Sequence, residues 1–408
     1  MKKSSIAKAA AALAAAAAVT ASAREASAIN CNDASIKNPV YVTGSSAAEP
    51  ILARLNTILL AQNPPVTIVY QKPGSCAGLT AIAGTPTALT GTATYGWDGT
   101  FTANATCTMQ TPGPNPDVGV SDVFPATCPN VTLAATQKEF QGPIQTMTFI
   151  VPVAQMTESA MSAEAAFAIL GWAGTGMHDV APWTKSTVIY RRNQNSGTQQ
   201  MISAAIGLSA AKWVGMDAGG SGPVITGVGT TSAADLATLG IVATDQADAH
   251  RDKVKVLAYQ HKGQSCGYLP DSTAMAKDKI NVREGRYAIW GPLHLVTNVD
   301  GQGMPTGNTA ASVIALINEF TRNGLAAADV KAAIDVEIAA HVIPQCAMKV
   351  ARTSEIGAEM SFQPDVPCGC YFESQTGGAS ASCKTCTMDT DCTAAPNTHC
   401  RYGYCEAK

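Results

Sequence analysis

The chain has no block of basic residues with interleaved aromatics, and its formal net charge is −3. That argues against nucleic acid as a partner, because phosphate backbones are held by clustered Lys and Arg. Beyond the first thirty residues no stretch reaches the ~18 apolar residues of a membrane span, so no membrane-embedded part is expected. No Gly-x-Ser-x-Gly elbow is expected, and none of His178, His250, His261, His294, His341 and His399 stands in a metal or triad motif. A hydrolase built on Ser196 or Ser46 as nucleophile therefore has thin support. From Cys383 to Cys405 too few apolar residues are present to form a core, so crosslinks must hold that segment together.

What is present begins with an export signal. Met1-Lys2-Lys3 and Lys8 precede an Ala-rich stretch from Ala9 to Val19, and Ala21-Ser22-Ala23 and Ala26-Ser27-Ala28 are two cleavage patterns. Cleavage is expected after Ala28, with Ala23 as the other candidate. Asn30 before Cys31 is too large for a lipidation signal. Removing residues 1–28 takes away Lys2, Lys3, Lys8, Arg24 and Glu25, which leaves 23 basic and 29 acidic residues and a net charge of −6. Any anion the protein binds must then be held by local dipoles and not by an overall positive field. About 380 mature residues exceed what one core supports, so two lobes and an appendage are expected. Thirteen cysteines in an exported chain point to disulfides. The odd count leaves one thiol free or paired between chains. Six lie in the body and seven crowd the end, where Cys383-Lys384-Thr385-Cys386 also has the spacing of a zinc knuckle, a competing reading. A local bridge is expected between Cys107 and Cys128, which flank one loop-rich region.

Three times a β-branched run breaks into a Gly/Ser/Thr turn that opens a helix. Val40-Tyr41-Val42-Thr43 leads to Ser46, which with Glu49 fits a capping box before Ile51, Leu52 and Leu55. Val66-Thr67-Ile68-Val69-Tyr70 leads to Gly74-Ser75-Cys76-Ala77-Gly78, with Ser75 the expected cap. Thr187-Val188-Ile189-Tyr190 leads to Arg192-Asn193-Gln194-Asn195-Ser196-Gly197-Thr198, where Ser196 and Gln199 form another capping-box pattern before Met201 and Ile202. The first N–H groups of a helix lack intrahelical acceptors and carry partial positive charge, so each break could receive an anion. Arg192 adds a planar fork suited to phosphate or carboxylate. The run Val118-Gly119-Val120-Ser121-Asp122 reads as a strand delivering a carboxylate at its C-terminal end.

Between these landmarks the pattern stays mixed α/β. Residues 84–116 read as an irregular excursion or small hairpins. Strands are expected over Thr146–Val153, Ile241–Ala243, Val254–Tyr259 and Leu293–Thr297, and helices over Ala160–Leu170, Ser232–Leu239 and Ala310–Phe320. Gly219-Gly220-Ser221-Gly222-Pro223 reads as a loop.

Taken together, Gly44-Ser45-Ser46-Ala47 with Pro50, Gly74-Ser75-Cys76-Ala77-Gly78, Ser121-Asp122 and the Arg192-x-x-x-Ser196-Gly197-Thr198 spacing resemble the periplasmic phosphate-binding proteins of ABC importers. The Gly285-Arg286-Tyr287-Ala288-Ile289-Trp290-Gly291-Pro292 stretch resembles a feature of their second lobe. The resemblance covers residues 38–324 and excludes the Cys-rich end. It implies an α/β, two-lobed type II periplasmic-binding-protein fold, with lobe 1 in 29–140 and 306–362, lobe 2 in 141–305, and a small disulfide-rich tail in 363–408.

It further implies a non-enzymatic, monomeric protein, periplasmic or extracellular, that needs no cofactor and delivers inorganic phosphate to an ABC permease. Ser46, Ala47 and Ser75 would offer N–H groups and hydroxyls, Arg192 charge, and Ser196, Gly197 and Thr198 donors from the opposite lobe. Asp122 would accept a hydrogen bond from a protonated phosphate oxygen, which sulfate cannot provide. Ser46-Ala47 stands where the family has Thr and an aromatic, so the aromatic packing beside the ligand is missing while the backbone donor remains. Cys76 could be bridged and stiffen its loop. An extracellular binding or adhesion role through the Cys-rich tail is the alternative from another class.

Overall fold

The computed structural model describes residues 29–97, 104–155, 157–230, 237–378 and 383–407. The expected signal peptide and most of the expected 232–239 helix lie outside them. In chain order the first part holds β1 (Ile29–Asn30), β2 (Pro39–Gly44), α1 (Glu49–Ala61), β3 (Thr67–Gln71), α2 (Ser75–Ile82), β4 (Thr92–Trp97), β5 (Asn104–Thr108), β6 (Val118–Ser121) and β7 (Gln137–Pro152). The middle holds β8 (Ala160–Ser162), α3 (Ala163–Trp172), β9 (Ile189–Arg191), α4 (Gly197–Ile206), β10 (Met216–Asp217), α5 (Ser221–Gly229), β11 (Leu239–Ala243), α6 (Thr244–Ala249), β12 (Val254–Val256), β13 (Ala258–Gln260) and α7 (Ile280–Arg283). Then follow β14 (Trp290–Asn298), α8 (Ala310–Thr321), α9 (Ala327–Ala339), β15 (Val350–Ala351), β16 (Met360–Ser361), α10 (Gly369–Thr376), β17 (His399–Arg401) and β18 (Tyr404–Glu406).

The long strand β7 organises everything else. Its residues 137–146 pair antiparallel with β14, and its residues 147–152 pair with β11 and β12. One side of the sheet runs β1-β5-β4-β3-β2-β6-β14 and the other β11-β9-β10, so β7 belongs to two lobes. Within the first lobe β2, β3 and β6 are parallel neighbours, and β3 and β6 are buried along most or all of their length, as their Val- and Ile-rich runs require. Val40, Val42, Ile68 and Val120 meet Ile51, Leu52 and Leu55 of α1, with Leu316 and Phe320 of α8 completing that core. A second core gathers Met147 and Phe149 of β7 with Ile169, Leu170, Met201 and Ile202 from α3 and α4.

Two glycines let the first two loops meet. Gly44 has φ +146°, and a Cβ there would sit 1.9 Å from the Val120 carbonyl oxygen. A Cβ on Gly78 would lie 2.3 Å from Gly44 Cα, so α2 can rest against the end of β2 only as glycine on glycine.

Several expectations need correction. Cys107 pairs with Cys31, and Cys128 pairs with Cys76, so the expected Cys107–Cys128 bridge does not form. The cause is topological: β1 lies parallel on β5 with Ile29 opposite Cys107, which brings Cys31 to that strand. Residues 160–162 are a strand and α3 begins after them; Leu239 belongs to β11, not to a helix. The Gly219-Gly220 turn opens a helix at Ser221 where a loop was expected. Residues 84–116 do contain a hairpin, β4 against β5.

The tail is crosslinked as its composition demands. Cys370–Cys383, Cys386–Cys400 and Cys392–Cys405 lie within it, and Cys346–Cys368 ties it to the body. Cys383 and Cys386 are thereby spent in disulfides, which removes the zinc-knuckle reading. Among the described cysteines Cys266 is unpaired, and it is exposed. Among the described residues no helix is long and apolar enough to cross a membrane.

The tail helix α10 docks through an enclosed ion pair, Arg283 Nη1 to Glu373 Oε1 at 2.8 Å, with the Arg283 side chain 1% exposed. Removing one partner of such a pair strands the other charge away from water. Glu373→Ala is therefore expected to lower stability by about 3 kcal/mol, read as a lower urea midpoint; an unchanged midpoint would show that the pair contributes nothing.

Candidate functional site

Each functional side chain is delivered by the end of a strand or the start of a helix. Asp122 follows β6, Ser46 and Ala47 occupy the 3-10 turn between β2 and α1, and Ser75 is the first residue of α2. From the other lobe, Arg192 follows β9, while Ser196, Gly197 and Thr198 open α4.

The caps differ from expectation at two places. Ser45, not Ser46, caps the first turn, its Oγ accepting from Ala47 N at 3.0 Å and Ala48 N at 3.3 Å. A one-residue shift suffices, because the turn preceding α1 starts earlier than the apolar periodicity does. Gly74, at φ +116°, caps α2, so Ser75 sits one position inside the helix. Ser196 is the N-cap of α4 as expected, but its side chain makes no capping bond, and Gln199 Nε2 turns to the Ala210 carbonyl.

The structure brings all three loops and the carboxylate together. Asp122 is 1% exposed; its Oδ1 accepts from Ser45 Oγ in a short hydrogen bond, and its Oδ2 accepts from Ser75 Oγ at 3.2 Å. Ser75 Oγ in turn accepts from Asp122 N at 3.2 Å. Gly197 faces this pair so closely that a Cβ would lie 2.4 Å from Ser75 Oγ and 2.7 Å from Asp122 Oδ2. Cys76 N donates to the Asn195 carbonyl at 2.9 Å, so the start of α2 touches the arginine loop across the cleft. The Cys76–Cys128 bridge anchors that loop from behind.

Arg192, 2% exposed, donates from Nη2 to Ser46 Oγ at 3.0 Å and to the Gly219 carbonyl at 3.2 Å, and from Nη1 to Ser221 Oγ at 3.0 Å. Its guanidinium thus lies between the lobes. Arg192 Nε and Thr198 Oγ1 are buried and have no hydrogen-bond partner, and burying a donor without an acceptor is costly. The Ala47 N–H, by contrast, is already engaged by Ser45, so an anion reaching it would have to share that bond.

Residues that the sequence did not single out complete the surroundings. Tyr70 donates from its hydroxyl to the Ser45 carbonyl in a short bond, fixing the cap. Ser221 opens a fourth helix against Arg192, and its signal was there to read: Gly-Gly followed by Ser and Pro at a helix start. Gln145 Nε2 donates to the Ala47 carbonyl and to Asp245 Oδ1, both at 3.1 Å. Glu355 Oε2 accepts from Phe124 N at 3.3 Å, two residues beyond Asp122.

Burial shapes the electrostatics. It pushes the Asp122 carboxyl up to about 6, against the opposing pull of the Ser45 and Ser75 hydroxyls and of Arg192. Asp245 is pushed up to about 7 and Glu355 to about 8, in each case chiefly by burial. A buried guanidinium thus stands among carboxyls whose titration burial has shifted towards neutrality.

No family model matches the chain, and no curated protein matches it. Among solved structures the chain is similar to a protein from Clostridium perfringens put forward as a phosphate ABC transporter substrate-binding protein and solved with bound phosphate. The identity is 16%, the alignment covers 75% of this chain and 99% of that one, and the TM-score is 0.47. It is similar also to an ABC-type phosphate transport receptor from Vibrio cholerae, at 14% identity over 74% of this chain and 99% of that one with a TM-score of 0.45. The regulatory domain of reduced OxyR from Pseudomonas aeruginosa follows at 8%, 69%, 95% and 0.37. In architecture the chain is a mixed α/β protein whose sheet spans two lobes through one shared strand, extended by a disulfide-rich tail. What it binds rests on its own residues.

The Asp122 carboxyl sets a pH dependence. The native state keeps this proton up to about pH 6, whereas the unfolded chain releases it near 3.8, so between those values the native state binds more protons. Its contribution is complete below about pH 3.8 and is lost as pH rises through 6. Stability of the anion-free protein should therefore fall from pH 4 to pH 7, and Asp122→Asn should remove about 3 kcal/mol of that fall. Urea titrations across that range decide it, and parallel curves for the two proteins would refute it.

Proposed function

We propose that this protein is an exported solute-binding protein that captures inorganic phosphate between its lobes and delivers it to an ABC permease. The observation that supports this most is the convergence of a buried arginine, a buried carboxyl and two helix N-termini from opposite lobes on one place, Asp122 and Ser75 against Gly197, with Arg192 on Ser46. Arginine supplies charge that no net positive field provides, and the N-termini supply oriented N–H groups. Asp122 supplies an acceptor, which rewards an oxyanion that carries a proton and repels one that carries none. Ser46, Ala47 and Ser75 act from lobe 1 and Ser196, Gly197 and Thr198 from lobe 2. Full binding energy is then gained only in the shut form, which favours closure on the ligand.

In this reading lobe 1 comprises 29–140 and 306–362, lobe 2 comprises 141–305, and 363–408 is an appendage. The protein works as a monomer, outside the cytoplasm, after losing residues 1–28. Its six disulfides fit an oxidising compartment. The reading is non-enzymatic. Among the described residues Ser46 Oγ is met by Arg192, and no histidine hydrogen-bonds to Ser46 or Ser196, so neither serine has the base a nucleophile needs. The one Gly-x-Ser-x-Gly spacing, Gly263-Gln264-Ser265-Cys266-Gly267, runs through a partly exposed turn after β13 and forms no strand-to-helix elbow.

Calorimetric titration of anion-free protein with phosphate and then sulfate tests the reading. Phosphate is expected to bind at micromolar concentration or tighter, with no sulfate heat. Arg192→Ala or Asp122→Ala should weaken phosphate by at least about 100-fold, the scale of one charge-assisted hydrogen bond removed from a buried site. Equal heats from the two anions would sink the role given to Asp122, and no heat from either would sink the reading itself.

A further inference from the structure

Asp245 is a buried carboxylate to which the phosphate reading assigns nothing. It stands at the second position of α6, directly after β11, and is 3% exposed. Its Oδ1 is reached by Gln145 Nε2, whose other hydrogen goes to the Ala47 carbonyl, and its Oδ2 accepts from Gln246 Nε2 at 2.8 Å. Gln145 lies in β7, just where that strand leaves one lobe for the other, and its own Oε1 is buried without a partner. One side-chain amide therefore ties the Ser46-Ala47 loop of lobe 1 to a carboxylate of lobe 2. That chain of contacts exists only while the two lobes are together.

We propose that Asp245 is a second specificity-determining acid of the anion cleft, held to the Ala47 loop through Gln145, so that the cleft closes on a singly charged, doubly protonated oxyanion in preference to a dianion. The inference rests on the phosphate reading and deepens it. With Asp122 alone, an anion needs one proton to satisfy one acceptor. Above neutrality a second enclosed carboxylate adds a negative charge that weak solvent screening leaves in force, so each extra charge on the ligand costs more. For inorganic phosphate the favoured species is H2PO4−.

The charged groups around Asp245 support this balance. Asp122 and Asp248 act on it as like charges, and Arg54 of α1 is the nearby cation. Asp248 is neutralised by Lys279 at 2.6 Å and by Arg251, which leaves little of its charge to act. The packed elements α5 and β11 bring no ionisable residue, β7 carries Lys138 and Glu139 only in its far half, paired with β14, and β12 brings Lys255, half-buried. Burial has already moved Asp245 to about 7, within the range where phosphate itself changes charge.

Two measurements on the full-length mature protein test the inference. Calorimetry at pH 8 in two buffers of different ionisation enthalpy counts protons taken up on phosphate binding. Wild type should take up close to one per phosphate, and none taken up would overturn the proposal. In the second, phosphate affinity is followed from pH 6 to pH 8.5. Wild type should weaken by about tenfold per pH unit above neutrality, the slope of one linked proton, and Asp245→Asn should flatten that slope to bind about fivefold or more tightly than wild type at pH 8.5. Superimposed profiles would overturn the role of Asp245 and leave the phosphate reading standing. Absence of phosphate heat at every pH, or heat that Arg192→Ala does not change, would overturn both.

Discussion

The constraint on which the cleft depends is that a carboxylate has been placed where water does not reach it. Asp122 closes a buried strand, and a charge in that position is tolerated only if donors surround it. Ser45 and Ser75 meet its two oxygens, and each can do so because the helix it introduces starts where β2 or β3 ends. Glycine at 44 and 78 lets those two starts lie against each other, and glycine at 197 lets the opposite lobe come within contact of both. Larger residues at any of these points would push the acceptor and its donors apart. The glycines are thus part of the electrostatics as much as of the packing.

The second requirement is a strand that serves two lobes. Because β7 pairs with β14 in one half and with β11 and β12 in the other, the helices after β2, β3 and β9 can point at one another across a shared axis. The same strand places Gln145 at the crossing point, with a partner on each side. A side chain in that position senses relative placement of the lobes, which no side chain confined to one lobe can do.

How much of this could be read from residues alone follows from how local each signal is. Arg192, Ser75, Asp122 and the start of α4 are announced by three to five neighbours, since a cap or a strand end is a short-range event. The exact cap escaped at Ser45, one residue from the expected Ser46, because periodicity marks where a helix is apolar and not where its first turn begins. Ser221 was legible in its Gly-Gly-Ser-Gly-Pro turn, yet those residues read equally well as a loop until β10 brings them to Arg192. Tyr70, Gln145 and Asp245 had no local signal of any kind. Their roles arise from contacts 25, 98 and 100 residues away in sequence. Disulfide pairing failed for the same reason: Cys107 and Cys128 share a region, but β1 on β5 and α2 beside β6 decide the partners.

The tail shows crosslinks substituting for a core, and its anchorage bears on what it can do. Three disulfides close its loops, Glu406 accepts from Cys370 N at 2.7 Å and from Tyr371 N at 3.2 Å, and its large apolar side chains Tyr371 and Phe372 are buried against the core of the body. Yet α10 is not a free appendage. Tyr371 accepts from Lys331 Nζ at 2.6 Å and bonds to Asp335, both on α9, which packs on α1 of the first lobe. Glu373 holds Arg283 of α7, which Lys279 fastens to Asp248 of α6 in the second. A helix gripped from both sides moves only if one grip slips, and the enclosed Arg283 pair resists breaking because both charges would lose their partner out of reach of water. The Cys346–Cys368 bridge, at the start of α10, binds that helix covalently to the segment that follows α9, so the first grip does not depend on the exposed Lys331 and Asp335 contacts alone.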